Sequence, residues 1–136
     1  MYFIFDANMP PKLVTGLEAL DQENSSNALK IKIVHSDHLL NIGATDVEII
    51  RKAGKLGAII ISQDDDFKRI KLNKQLVKKL KVGYVLYKPP THGARYWEKV
   101  QAFILGWERL KQKIREIEKP FVLIINKKGD ISQEHL

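Results

Sequence analysis

Cysteine is absent from this chain of 136 residues. Without thiols there is neither a disulfide framework nor a thiolate metal site, and a reducing cytoplasm is the compartment that we expect. Long apolar runs are absent too, so neither a membrane span nor a membrane partner is expected. The opening residues 1–6 lack the basic start, the apolar segment and the small-residue cleavage site of a secretory signal. Nothing resembles a glycine-rich phosphate loop or a nucleophile elbow, which removes two common enzyme classes from consideration.

Acidic residues are fewer than basic residues. The chain has 16 Asp and Glu against 23 Lys and Arg, which gives a formal net charge of +7. This balance favours a polyanionic partner, either nucleic acid or an acidic protein, and composition alone leaves both open. The length suits one domain that spans residues 1–136.

The scarce acids are concentrated where apolar runs end. Residues 58–67 read A-I-I-I-S-Q-D-D-D-F, and four apolar residues without alternation predict a strand that is covered on both faces, as in a parallel sheet. Asp64 and Asp66 then lie beyond the carboxyl end of this strand, and Asp6 closes a similar strand predicted at residues 2–5. Ligands of open α/β sheets bind at this edge. Clustered carboxylates repel one another unless a cation holds them, so we predict a divalent metal site.

A fourth acid, Asp46, opens a predicted helix in which Thr45 and Glu48 form a capping box. The expected ions are Mg²⁺ or Mn²⁺, because hard cations take oxygen ligands, and they can activate a water and stabilise the charge on a phosphodiester. Each acid also has a structural alternative: Asp6 and Asp46 can serve helix starts, and residues 64–66 can be a solvated turn. His35, at a strand end, is interpreted as a hydrogen-bonded structural histidine.

Periodicity predicts alternating strands and helices along the chain. Strands are expected at 2–5, 31–35, 58–61, 82–87 and 121–125, and helices at 11–20, 45–57, 68–81 and 94–118. Residues 21–27 and 38–44 are expected to be loops, and residues 127–130 a hairpin turn. This order indicates a three-layer α/β/α domain with a mainly parallel sheet of about five strands.

Several helices carry apolar side chains at helical spacing. In the second and third helices, the side chains expected to face inward are Val47, Ile50, Ala53, Leu72, Leu76 and Leu80. The aromatic residues Trp97, Phe103 and Trp107 of the last helix are expected to form core or an oligomer surface. A homodimer therefore remains among the expected partners.

Three segments carry a resemblance to a known family. Residues 5–10 (F-D-A-N-M-P), 44–49 (A-T-D-V-E-I) and 60–67 (I-I-S-Q-D-D-D-F) resemble the D-E-N-L-P, A-S-D-x-E-I and L-V-T-x-D-x-D-F motifs of short PIN-like domains. These proteins are similar to VapC-type ribonucleases and are predicted toxins of toxin–antitoxin systems. The resemblance implies a Mg²⁺- or Mn²⁺-dependent endoribonuclease with an RNA substrate and an antitoxin partner.

The resemblance also implies which residues form the site. The catalytic and metal-binding acids of the family carry over to Asp6, Asp46, Asp64 and Asp66, and Asn8 can bind a metal-bound water. Ala7 stands where the family motif has Glu, which leaves open a PIN-like module that binds RNA or protein without catalysis. A phosphoacceptor receiver domain is a further alternative, since it gathers aspartates at the same edge.

The basic helix predicted at residues 68–81 follows the acidic strand directly. Its Lys71, Lys74 and Lys78 are expected to hold the RNA backbone, because basic side chains position nucleic acid without reading its sequence. A solvated face and a docking site for an acidic antitoxin segment are the alternatives.

Overall fold

The computed structural model describes residues 1–24, 31–63, 68–90 and 95–136. Its elements, in chain order, are β1 (Tyr2–Phe5), α1 (Pro11–Asn24), β2 (Lys32–His35), α2 (Ser36–Leu39), α3 (Asp46–Leu56), β3 (Ile59–Gln63), α4 (Lys68–Leu80), β4 (Gly83–Tyr87), α5 (Tyr96–Glu116), β5 (Phe121–Ile125) and β6 (Ile131–Glu134). Within this part of the chain the strands form a six-stranded sheet in the order β2-β1-β3-β4-β5-β6. The first five strands pair in parallel and β6 pairs antiparallel to β5.

The sheet is covered by helices on both faces, as the sequence predicts. Alternate strand residues point to opposite faces, so Phe3 and Phe5 pack with α1 and α5 while Ile4 packs with α3 and α4. Aromatic rings fill the first of these layers, where the Phe3 and Trp107 ring centroids lie 5.0 Å apart. The predicted α/β/α architecture with a mainly parallel sheet is therefore confirmed.

The predicted helix ends and the final hairpin can be compared directly with the structure. Thr45 caps α3 by accepting the Glu48 N–H at 3.2 Å, and Gly57 ends the helix at a φ of 66°, a left-handed conformation that suits glycine. At the hairpin, the Asn126 side chain accepts the N–H groups of Lys128 and Asp130. The Thr45 cap, the helix end at Gly57 and the hairpin are confirmed, the return bond from the Glu48 side chain stays a prediction, and the hairpin adds β6 to the five expected strands.

Two predicted loops are partly helical. Helix α1 continues through Asn24, and Asp21, predicted to lie in a surface loop, is buried. Its carboxylate accepts a hydrogen bond from Lys111 at 2.6 Å and another from Trp107 at 3.1 Å. The short helix α2 likewise occupies the start of the second predicted loop, while the remaining residues of that loop follow it to Thr45. The polar last turn of α1 is thus stabilised by partners on α5.

Two predicted apolar faces, those of α3 and α4, are partly wrong. Leu72 of α4 is 83% exposed, and the buried residues among positions 70–80 of that helix are Ile70, Asn73 and Val77. Val47 of α3 is exposed, whereas Ile49 is buried beside Ile50 and Ala53. In α5, Phe103 and Trp107 are core, whereas Trp97 is exposed, and the oligomer surface stays a prediction. None of the helices in the described ranges is both long and apolar enough to cross a membrane.

Candidate functional site

Asp6 lies at the carboxyl edge of the sheet, where β1 and β3 are neighbours. The pairing of Phe5 with Ile61 brings the ends of these two strands side by side. The Asp6 N–H then donates to the Ile61 carbonyl at 2.9 Å, which extends the ladder by one bond. This bond holds the Asp6 backbone rigidly, and its side chain is 2% exposed.

Two neutral donors fix the Asp6 carboxylate. One oxygen accepts the Asn8 N–H at 3.0 Å, and the other accepts the Ser62 hydroxyl in a short hydrogen bond. Ser62 is itself fully buried in β3. These two donors orient the carboxylate at the edge of the sheet. Ligating carboxylates are themselves held by hydrogen bonds, and hard divalent ions take carboxylate oxygens, so Asp6 fits the role of an oxygen ligand.

Asn8 reaches across the same edge. Its side-chain amide donates to the Gln63 carbonyl at 3.4 Å, so the turn after β1 rests on the end of β3. Asp64 is the next residue in the sequence. Asp64 and Asp66 lie outside the described residues, and their place in the site stays a prediction.

Asp46 belongs to a second polar contact, between α3 and α4. It is the first residue of α3, it is half-buried, and its carboxylate accepts a hydrogen bond from the Asn73 amide at 3.3 Å. Asn73 is 9% exposed in the face of α4 that packs on the sheet. Asp46 is thus oriented by a buried side chain of a neighbouring helix, which the helix-dipole interpretation does not require.

The two contacts flank the segment that carries the other predicted acids. Strand β3, which supplies Ser62 to Asp6, ends at Gln63, and helix α4, which supplies Asn73 to Asp46, begins at Lys68. Residues 64–67 therefore join the two elements that hold Asp6 and Asp46. Among the described residues, no group of three or more His, Asp and Glu side chains is placed to hold a metal ion.

The His35 ring holds the turn after Asp6. Its Nδ1 accepts the Asp37 N–H at 3.2 Å, so the neutral ring carries its proton on Nε2, which donates to the Met9 carbonyl at 3.0 Å. The ring is buried. The structural interpretation of this histidine is confirmed, and its contact ties the turn that contains Asn8 to β2.

Tyr87 also lies at the carboxyl edge, paired with Gln63. Its hydroxyl donates to the Lys99 carbonyl of α5 at 2.8 Å, and burial raises the pKa of Tyr87 to about 12. The phenol therefore stays protonated at neutral pH, and its proton is used in the hydrogen bond to α5. It is therefore a structural group and not an acid catalyst.

Sequence reasoning missed Ser62 and Asn73. Ser62 stands in the third motif, where the family pattern has Thr, so the motif contained the signal. Asn73 lies three residues after Ile70 and four before Val77, both buried, so helical spacing places it on the same buried face. The predicted RNA-binding residues Lys71 and Lys78 are exposed and Lys74 is half-buried beside this face, while their contact with RNA stays a prediction.

A family model described as a PIN like domain matches residues 1–88. The chain belongs to the PIN-like domain family. The match covers more than half of the chain, from β1 through β4, and includes all four predicted acids. The PIN-like family is related to nucleases, and its members are often metal-dependent. Neither a curated protein nor a solved structure matches the chain.

Proposed function

We propose that this PIN-like protein is a Mg²⁺- or Mn²⁺-dependent endoribonuclease and the toxin of a type II toxin–antitoxin pair. The observation that carries the proposal is the buried Asp6 carboxylate, which is held by Ser62 and Asn8 at the carboxyl edge of the sheet. The family membership supports nuclease chemistry over the phosphoacceptor alternative. The RNA substrate, the antitoxin and a homodimer are the partners of this proposal.

The residues divide the work as follows. Asp6, together with Asp64 and Asp66, would hold the ion, Asp46 would complete its coordination or orient the water, and Asn8 would bind a metal-bound water. When bound, the ion supplies an activated water and stabilises the charge that develops on the phosphodiester. Ser62 keeps the Asp6 carboxylate in one orientation, and Asn73 does the same for Asp46.

The test compares RNA cleavage by the wild type and by Asp6→Asn in Mg²⁺ or Mn²⁺. Asparagine has the same shape and no negative charge, so we expect the rate to fall at least about a hundredfold while the fold persists, which corresponds to about 2.7 kcal/mol of lost transition-state stabilisation. Asp130→Asn is the matched control, because Asp130 is an exposed residue of the hairpin. Equal cleavage by Asp6→Asn and the wild type would contradict the site assignment.

A binding module without catalysis is the second candidate. Ala7 favours it, because an exposed alanine stands where the family motif has an acid. Divalent-metal titration in the presence of RNA separates the two functions. If the protein is a nuclease, it binds the ion, and the Asp6→Asn variant loses that binding. If it is a binding module without catalysis, it binds RNA with equal affinity in the presence and absence of the ion.

A further inference from the structure

An open groove runs between α3 and α4 on the outer side of the molecule. It has a volume of about 520 Å³ and is lined by Arg51, Gly54, Lys55, Leu76, Lys79 and Leu80. The two helices run in the same direction, since Asp46 at the start of α3 meets Asn73 in the middle of α4, and Gly54 near the end of α3 meets Leu80 at the end of α4. We call this feature the α3–α4 groove.

The floor of the α3–α4 groove is aliphatic. The helices are in contact at Gly54, where a Cβ would lie 3.4 Å from the Leu80 Cβ, which is ordinary van der Waals contact. Leu76 and Leu80 are half-buried there, and Leu72, one turn earlier on the same side of α4, is 83% exposed. A partner that covers these leucines removes apolar surface from water, so the floor offers binding energy that the fold leaves unused.

The rim of the α3–α4 groove is cationic. Arg51, Lys55 and Lys79 are all exposed around the leucines. Among the described side chains that line the groove there is no carboxylate and no aromatic ring. Single-stranded nucleic acid is usually held by stacking on aromatic rings, and this floor provides none. Leucines inside a positive rim instead match a peptide with apolar anchors and negative flanks.

The α3–α4 groove lies away from the candidate metal site. Gly54 and Lys55 are in the last turn of α3, which leads to the start of β3, and Leu80 ends α4 just before β4. Gln63 lies at the opposite end of β3, and Asp6, which follows β1, lies beside that end. The residues that line the groove near Gly54 and Leu80 are therefore at the far end of the helices from Asp6, and Leu72 extends the apolar floor toward the carboxyl edge.

We propose that the α3–α4 groove binds an acidic amphipathic helix of a partner protein. Apolar side chains of that helix pack on Leu72, Leu76 and Leu80, and its carboxylates face Arg51, Lys55 and Lys79. This is the helix-in-groove mode of recognition, with anchors at three- and four-residue spacing. Peptide binding at this groove does not involve the candidate metal site, so the proposal goes beyond the proposed ribonuclease activity.

The test uses fluorescence anisotropy with defined pools of synthetic peptides about four helical turns long. One pool has Leu, Ile or Val on one face and Glu or Asp elsewhere; a second replaces the acids by Lys, and a third replaces the apolar residues by Gln. We expect the first pool alone to contain binders. The variant Leu72→Gln with Lys79→Glu should weaken their binding at least about tenfold, since it removes an apolar anchor and reverses a contacting charge.

A matched control keeps the test specific. Leu105 is also 83% exposed and Lys12 is an exposed lysine, and both lie on the helices that cover the other face of the sheet. Leu105→Gln with Lys12→Glu makes the same chemical changes and should leave peptide binding unchanged. Asp6→Asn should also leave it unchanged, which separates this proposal from the nuclease proposal.

Three outcomes would overturn the proposal. The first is an acidic pool without binders. The second is equal binding by wild type and the Leu72→Gln, Lys79→Glu variant. The third is a single-stranded RNA that displaces the peptides and loses affinity in the same variant, which would make the groove an RNA site.

Discussion

At the scale of single residues, the site depends on neutral side chains that hold acids in place. Ser62 and Asn73 each donate to one predicted catalytic carboxylate, Ser62 to Asp6 and Asn73 to Asp46. Removing a group that orients a metal ligand typically lowers metal affinity or activity by about 10–100-fold. The arrangement makes Ser62 a positioning residue whose role can be measured.

Replacing Ser62 by Ala removes the donor to one Asp6 oxygen and leaves the Asn8 N–H on the other. We expect RNA cleavage to fall by about 10–100-fold and the Mg²⁺ concentration needed for half-maximal rate to rise. Ser62→Thr keeps a hydroxyl, as the family motif does, and should restore both quantities. Ser132→Ala, at an exposed position of β6, is the control. Full activity in Ser62→Ala would contradict the positioning role of Ser62.

At the scale of elements, α4 brings its basic side chains to the edge that carries the acids. Lys71 and Lys74 lie within one turn of Asn73, which contacts Asp46. With Lys78 they form a stripe next to the buried face of the helix, on a different side from Leu72. The RNA stripe and the α3–α4 groove are therefore separate surfaces of one helix.

Changing Lys71, Lys74 and Lys78 to Gln should reduce the salt dependence of RNA binding. Each phosphate contact to a single strand contributes about 0.7 to the slope of log K against log salt, so the triple change should lower the slope by about 2. Binding is measured in the Asp6→Asn background, where cleavage is suppressed. The control, Lys12, Lys113 and Lys128 changed to Gln, removes the same charge elsewhere. Equal salt-dependence slopes in the two triple variants would show that these lysines of α4 do not contact the RNA.

The buried ion pair of Asp21 and Lys111 joins the last turn of α1 to α5. Lys111 is 3% exposed, and its ammonium lies 2.6 Å from an Asp21 oxygen that also accepts the Trp107 indole N–H. The exposed Glu108 contributes a second carboxylate at 2.8 Å. A pair of this kind is costly to break from one side, because the remaining charge stays buried.

Lys111→Met should therefore lower the free energy of unfolding by about 3–5 kcal/mol. Adding Asp21→Asn removes the stranded charge and keeps an oxygen acceptor for Trp107, so the double variant should recover most of that loss. Urea unfolding measures both changes. The control is Arg109→Met, which breaks the exposed pair with Asp130 and should cost at most about 1 kcal/mol. A double variant no more stable than Lys111→Met would show that packing, and not charge, dominates at this position.

At the scale of the whole molecule, local sequence patterns predicted the strands and helices, whereas long-range contacts determined which helix faces are buried and how the strands are ordered. The run at residues 58–61 and the Thr45 cap follow from neighbouring residues, and both are confirmed. Leu72 was assigned to the buried face because a four-residue repeat fits two adjacent stripes of one helix, and contact with the sheet selects Ile70 and Val77 instead. Asp21 was assigned to a loop because its partner Lys111 lies 90 residues away in the chain. The strand order that places Asp6 beside Ser62 is likewise a property of the folded sheet.

Stability of the whole fold should fall in alkaline solution. Burial lowers the pKa of Lys111, but hydrogen bonds and the negative charges of Asp21 and Glu108 outweigh it, so its pKa lies above the usual 10.5. Burial raises the pKa of Tyr87 from 10.0 to about 12. Both groups hold their protons more tightly in the folded state. Their contribution is complete below the unfolded-state pKa values and is lost as the pH rises through the folded-state values.

We therefore expect the free energy of unfolding to decline between pH 10 and about 12, the range over which Tyr87 is protonated only in the folded state. Each such proton contributes at most about 1.4 kcal/mol per pH unit. Tyr87→Phe removes one titrating group, so its decline should be shallower, although the lost hydrogen bond to Lys99 lowers stability at pH 7 by about 1 kcal/mol. Tyr96→Phe, at an exposed position, should keep the wild-type slope. Urea unfolding across this range measures the slopes, and identical slopes in Tyr87→Phe and the wild type would show that Tyr87 does not link stability to pH.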